Sequence, residues 1–258
     1  PGDEIVFGEY AFPLYERLAL GVQAHPVKVP SPNLTLKIDQ ILKALTPRTR
    51  LVMLDNPSNP LGQMLPKKEI YYLHRSLPQD VLLVLDAAYA EYIEDPTYTD
   101  GIDLVEQYDN VVVTRTFSKF YGLAGLRIGW AYGSKQVINF LKRLRLSFCC
   151  NQLGQAAALA TLQDNNYKFQ TLKHHRMISS WFCENLRKLQ IPFIPSCTNF
   201  VLLDFGSAQK AQKIYYELYK KGIVVRSLAE MGLENYLRLS YGQKQDMEKV
   251  IHILSACL

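Results

Sequence analysis

Lys119 stands inside the stretch Thr116-Phe-Ser-Lys-Phe-Tyr-Gly-Leu-Ala-Gly-Leu-Arg-Ile-Gly129, just past an apolar β-branched run, Val111-Val112-Val113, that reads as a buried strand. Two small hydroxyl residues, Thr116 and Ser118, precede the lysine, and Arg127 follows it after a glycine-punctuated turn. Hydroxyls and a guanidinium bind a phosphate monoester well. An amine shielded from water holds its proton less tightly and becomes a nucleophile toward aldehydes. Together these residues point to a cofactor that carries both an aldehyde and a phosphate. A lysine standing alone after a strand is ordinarily a solvated loop residue, so the inference depends on other motifs along the chain.

Asp86 ends the continuous apolar run Val81–Leu85 and is followed by Ala87-Ala88-Tyr89. A carboxylate at the end of a buried strand needs a partner. A pyridinium nitrogen would be one, and holding that nitrogen protonated makes the ring an electron sink. A helix N-cap is the competing role for Asp86. Tyr89 and Asn59 could both reach a phenolic oxygen of such a cofactor, although an Asn before a proline is also a common turn residue. Phe12 could stack on the ring or simply pack in the core. Arg238 lies within the apolar alternation Leu237-Arg238-Leu239, where a guanidinium is costly without an anion, and a substrate carboxylate would satisfy it. Arg226 is a second such candidate.

The elements that must position these groups alternate between strand and helix patterns. Strands are expected at 4–7, 27–29, 51–55, 81–85, 111–114 and 126–131, with helices opening near Pro13 and covering 36–45, 66–77 and 136–146. Asn59, Asp86 and Lys119 each follow a strand end, and ligands of parallel α/β sheets collect at the carboxyl ends of strands. The second half is richer in helix, over 152–162, 166–189, 208–221 and 244–256, with strands near 200–203 and 236–239. The pattern argues for an α/β fold with a mostly parallel sheet, followed by a smaller lobe.

The chain has 258 residues, 48% hydrophobic and 21% charged, a composition typical of soluble globular proteins and long enough for two lobes. Its net charge of +5 is spread along the chain in short clusters such as Lys142-Arg143 with Arg145, which argues against a nucleic-acid stripe. No apolar run approaches the roughly 20 residues of a membrane span, and no signal peptide opens the chain. Five cysteines without a CxxC pair suggest reduced thiols, a cytoplasmic setting and no metal site.

In order and spacing, Asn59-Pro60-x-Gly62, Asp86-x-x-Tyr89, Thr116-x-Ser118-Lys119 with Arg127, and Arg238 resemble the fold-type I pyridoxal-phosphate aminotransferases. The run Thr116-Phe-Ser-Lys with Gly122-Leu-Ala-Gly-Leu-Arg127 is most similar to the histidinol-phosphate aminotransferase branch. Each motif is weak alone; as a set, spanning essentially the whole chain, they are specific. The resemblance implies a large domain over 1–165 that binds pyridoxal 5′-phosphate and a small α+β domain over 166–258. It implies that Lys119 forms the Schiff base and carries a proton between the substrate α-carbon and the cofactor's C4′, while Asp86 pairs with the ring nitrogen. Asn59 and Tyr89 would bind the phenolic oxygen, Phe12 would stack on the ring, and Thr116, Ser118 and Arg127 would hold the phosphate. Arg238 would take the substrate carboxylate or the corresponding substrate end.

The expected reaction moves an amino group from histidinol phosphate to 2-oxoglutarate by a ping-pong route in histidine biosynthesis, in a homodimer. An aromatic amino-acid aminotransferase and a phosphorylated amino-acid decarboxylase use the same scaffold. A truncated, non-catalytic binding or scaffold protein is the alternative outside the enzymes. The family's glycine-rich phosphate-binding segment precedes the strand that residues 4–7 resemble, so the chain is expected to be N-terminally incomplete. Cys149, where many members carry Asn, and Leu61, where many carry Thr, put substrate choice rather than chemistry in question.

Overall fold

A computed structural model of the chain describes residues 1–257. They form two compact units, one of Pro1–Asn59 with Gln63–Asn165, the other of Pro60–Gly62 with the residues from Asn166 onward.

The first unit runs β1 (Glu4–Gly8), α1 (Leu14–Gly21), β2 (His25–Val29), α2 (Ile38–Lys43), β3 (Thr49–Asp55), α3 (Lys67–Ser76), β4 (Leu82–Asp86), α4 (Ile102–Val105), β5 (Val111–Thr116), β6 (Gly129–Gly133), α5 (Lys135–Leu144) and α6 (Gln152–Gln163). Its six-stranded sheet has the order β2-β1-β3-β4-β5-β6. Every neighbouring pair is parallel except β5–β6. Val6, Leu54, Leu83 and Val113 pack with Ile41, Ile70 and Leu73 in one core cluster, while Ile5 and Phe7 pack with Tyr15 and Ala19 in another. A strand covered on both faces has no polar side to show, which is why β5 opens with three consecutive valines.

The second unit contains α7 (Asn165–Lys188) from its second residue onward, then β7 (Phe193–Ile194), β8 (Phe200–Asp204), α8 (Ala208–Lys220), β9 (Arg226–Leu228), β10 (Leu233–Ser240) and α9 (Lys244–Cys257). Its sheet is antiparallel, in the order β7-β8-β10-β9. Phe182, Leu186, Val201, Ile214, Leu218 and Leu254 form its core and are fully buried. Each such side chain contributes about 1.5–3 kcal/mol of transfer free energy. No helix among the described residues is long and apolar enough to cross a membrane.

Two sequence expectations need correction. The strand expected over 126–131 starts only at Gly129, because Ala124–Leu126 forms a 3₁₀ turn and Arg127 adopts a left-handed backbone with φ 53°. Gly129 then pairs with Thr116 so closely that a Cβ there would lie 2.7 Å from the Arg115 carbonyl oxygen, so only glycine fits the start of this strand. The helix expected over 36–45 is confined to α2, since Lys37 is still extended and the helix ends at Lys43.

Candidate active site

The parallel strands β3 and β4 finish side by side, with Asp55 opposite Asp86, and Asp86 is in turn opposite Thr114 of β5. Two carboxylates therefore meet at the carboxyl edge of the sheet. The Tyr15 hydroxyl, on the buried face of α1, donates to Asp86 Oδ2 at 3.0 Å. Burial raises the Asp86 pKa above the usual carboxylate range, while the Tyr15 hydroxyl, the Ala88 N–H, the Thr114 hydroxyl and the charge of Lys119 pull it back. Burial and the two aspartates push the Tyr15 phenol well above its ordinary range, so Tyr15 remains a donor.

Beyond β3 the chain is clamped by Asn56, whose side-chain amide donates to the Leu65 carbonyl at 3.1 Å and whose Oδ1 accepts the Leu65 N–H at 2.7 Å. The loop so closed presents Asn59, whose N–H donates to Asp55 Oδ2 at 2.8 Å. Lys119 follows β5 by three residues and sets its Nζ 5.6 Å from the Tyr89 ring centroid. Phe12, Asp55, Asn59, Asp86, Tyr89 and Lys119 line one pocket, with Pro57 and Ala88 completing its wall. Thr116 Oγ1 accepts the Ser118 N–H at 3.0 Å, and Arg127 Nη1 donates to Ser118 Oγ at 3.2 Å and to the Ala124 carbonyl at 2.7 Å. The left-handed turn at Arg127 thus returns the guanidinium to the Ser118 hydroxyl that precedes Lys119.

In the second unit, Arg226 and Arg238 are directly opposite each other on β9 and β10. Like charges across a strand pair repel. Both line a cavity of about 530 Å³ together with Tyr215, Ser227, Glu230 and Ser240. The Arg238 guanidinium lies 4.8 Å from the Phe200 ring centroid, and Arg226 donates to Glu230 at 3.2 Å. Two facing guanidiniums suit a doubly charged or bidentate anion.

The structure departs from the sequence reading at Lys119, which is an exposed residue rather than one shielded from water, with its Nζ 5.6 Å from the Tyr89 ring centroid. Phe12 is also 38% exposed and meets Tyr15 edge-on. Tyr15 and Asp55 are site residues that sequence reasoning misses. Asp55 carries the same signal as Asp86, a carboxylate at the end of an apolar strand, and Tyr15 lies three residues after Phe12. Among the described residues no cluster of His, Cys, Asp and Glu could hold a metal ion.

The donor set fits pyridoxal 5′-phosphate. A buried carboxylate suits a cationic ring nitrogen, an amine lies in the same pocket, and two hydroxyls with a guanidinium suit a phosphate.

Comparison with known proteins agrees with this chemistry. The histidinol-phosphate aminotransferase of Granulibacter bethesdensis is 43% identical over 256 residues, a match covering 99% of this chain and 69% of that protein. The enzyme of the same name from Erythrobacter litoralis is 41% identical, covering 99% and 70% respectively. The crystal structure of histidinol-phosphate aminotransferase from Sinorhizobium meliloti in complex with pyridoxal-5′-phosphate superposes with a TM-score of 0.92 at 29% identity, over 99% of this chain and 70% of that one. The sequence profile "Aminotransferase class I and II" matches residues 1–254, and with it the chain belongs to that aminotransferase family.

Proposed function

We propose that the protein is a pyridoxal 5′-phosphate-dependent histidinol-phosphate aminotransferase that passes the amino group to 2-oxoglutarate. The observation that carries this reading is the meeting of Lys119 and Asp86 in one pocket at the carboxyl edge of a parallel sheet. The names of the relatives supply the substrate.

When bound, pyridoxal 5′-phosphate supplies an aldehyde carbon that accepts amines and a ring that draws electrons from the substrate's α-carbon. Asp86, fixed by the Tyr15 hydroxyl, would hold the ring nitrogen in its protonated form. Asn59 and Tyr89 would donate to the phenolic oxygen, and Phe12 would stack on the ring. Thr116, Ser118 and Arg127 would bind the phosphate. Lys119 would hold the cofactor by its aldehyde carbon and, as a free amine, would carry a proton between the substrate's α-carbon and C4′. Arg238 and Arg226 receive the acidic end of the substrate, a phosphate in one half-reaction and a carboxylate in the other.

Assays of glutamate formation from 2-oxoglutarate test the substrate. The expected kcat/KM for histidinol phosphate exceeds that for phenylalanine on the order of tenfold or more, the worth of one charge-assisted contact. Absence of turnover with the phosphate ester would remove the proposed donor, and faster turnover of phenylalanine would make the protein an aromatic aminotransferase.

The assembly proposed is a cytoplasmic homodimer. Between residues 140 and 162 the first unit exposes Leu144, Leu146, Phe148 and Leu153, with Phe148 at 99%, an apolar concentration that a second copy would cover. A reducing compartment keeps the five cysteines as thiols. Sedimentation of the purified protein is expected to give twice the chain mass, and cell fractionation to place it with cytosolic markers. A monomer at micromolar concentration would contradict the dimer.

A further inference from the structure

Asp55 has no role in the mechanism above, yet it is a carboxylate only 8% exposed in the wall of the same pocket as Asp86 and Lys119. It stands opposite Asp86 in the register of β3 and β4. Its Oδ2 accepts the Asn59 N–H at 2.8 Å, and the Phe12 N–H acts on the same carboxylate. Both partners are backbone groups of residues that line the pocket, one on the loop after β3 and the other on the loop before α1. Resting on the cofactor reading, we propose that Asp55 is a positioning residue of the cofactor pocket, tying the Asn59 and Phe12 loops to the sheet edge and leaving Asp86 to carry the negative charge.

The division of charge follows from the surroundings. Asp86 has the Tyr15 hydroxyl, the Thr114 hydroxyl, the Ala88 N–H and the positive charge of Lys119 to favour its ionised form. Asp55 has only backbone N–H groups, those of Asn59, Phe12 and its own residue. The titratable groups that face it are Asp86 at the end of β4, Tyr15 on α1, Tyr89 after β4 and Lys119 after β5. Two neighbouring carboxylates do not both ionise readily. Burial pushes Asp55 up to about 7, the Asn59 N–H opposes that shift, and the charge of Asp86 adds to it. Below about pH 7 Asp55 therefore retains a proton while its carbonyl oxygen still accepts from the loop.

The test uses the cofactor-free protein and two variants. Asp55 binds its proton more tightly when folded than when unfolded, so its contribution to stability is complete at low pH and lost as pH rises through about 7. Thermal melting of the native protein from pH 5 to 8.5 is expected to show that loss, and Asp55→Asn, which keeps an acceptor and cannot ionise, is expected to flatten the step. A step that persists in Asp55→Asn would place the proton elsewhere and overturn the division of charge. Titration with pyridoxal 5′-phosphate is expected to show Asp55→Asn binding within tenfold of native. Asp55→Ala, which leaves buried N–H groups without an acceptor, is expected to bind about 10- to 100-fold more weakly. Native-like binding by Asp55→Ala would refute the positioning role. Should Asp55→Ala not fold, a more than tenfold loss in Asp55→Asn would refute the role of a neutral acceptor. A native protein that takes up no pyridoxal 5′-phosphate would instead remove the cofactor reading, and that failure is distinguishable because it does not depend on position 55.

Discussion

Lys119→Ala lowers kcat for amino-group transfer on the order of 10⁴-fold or more, the scale of removing a nucleophile that also serves as general base. Lys119 is exposed, and thermal melting of the variant beside the native protein is expected to show a cooperatively folded chain, which separates lost activity from lost structure. Lys119→Arg separates charge from chemistry. A guanidinium keeps a cation beside Asp86 and the Tyr89 ring, but it stays protonated and cannot attack an aldehyde. Both variants are therefore expected to be equally inactive. A second readout is independent of turnover: after borohydride treatment in the presence of pyridoxal 5′-phosphate, intact-mass measurement should find the cofactor attached to the native chain and absent from both variants. An active Lys119→Arg, or a native chain that retains no cofactor mass, would remove Lys119 from the mechanism. Because Lys119 helps to ionise Asp86, its loss to alanine also leaves Asp86 holding its proton more firmly, a coupling that the arginine variant preserves.

The residues of this site that are legible in the sequence are those whose side chain contradicts its setting. Asp86 ends an apolar strand and Arg238 interrupts an apolar alternation, so the local pattern asks for a partner at each, whereas Lys119 gains its meaning only from the set of motifs around it. Long periodic elements are legible for the same reason, since α7 and α8 repeat their apolar positions over several turns. β7, with two residues, and β9, with three, are too short to show a period. The turn at Arg127 is hidden because the left-handed backbone falls on an arginine, between glycines that carry the obvious signal. Tyr15 is hidden because a buried tyrosine on a helix reads as ordinary core, and its hydroxyl acquires meaning only once α1 lies against the end of β4. The opposition of Asp55 and Asp86 is a matter of strand register, which depends on pairing between segments about 30 residues apart and on no local pattern.

Asp86→Asn is expected to reduce kcat on the order of 10²- to 10³-fold with a smaller change in KM for histidinol phosphate, because the carboxylate acts on the ring nitrogen and not on the substrate's acidic end. The magnitude follows from breaking a buried charge pair, worth about 3–5 kcal/mol, at about 1.4 kcal/mol for each factor of ten. The pH dependence supplies the sharper test. A neutral carboxyl group cannot pair with a cationic ring nitrogen, so uptake of pyridoxal 5′-phosphate by the cofactor-free protein should weaken as pH falls and Asp86 gains its proton. Burial sets the midpoint of that weakening above the usual carboxylate range. Tyr15→Phe removes a donor that favours the ionised form and should move the midpoint higher still. Asp86→Asn should abolish the acid limb while binding weakly throughout. If Asp86→Asn keeps both native turnover and the acid limb, another group holds the ring nitrogen. If Tyr15→Phe moves the midpoint down, the 3.0 Å hydrogen bond favours the protonated carboxyl group instead.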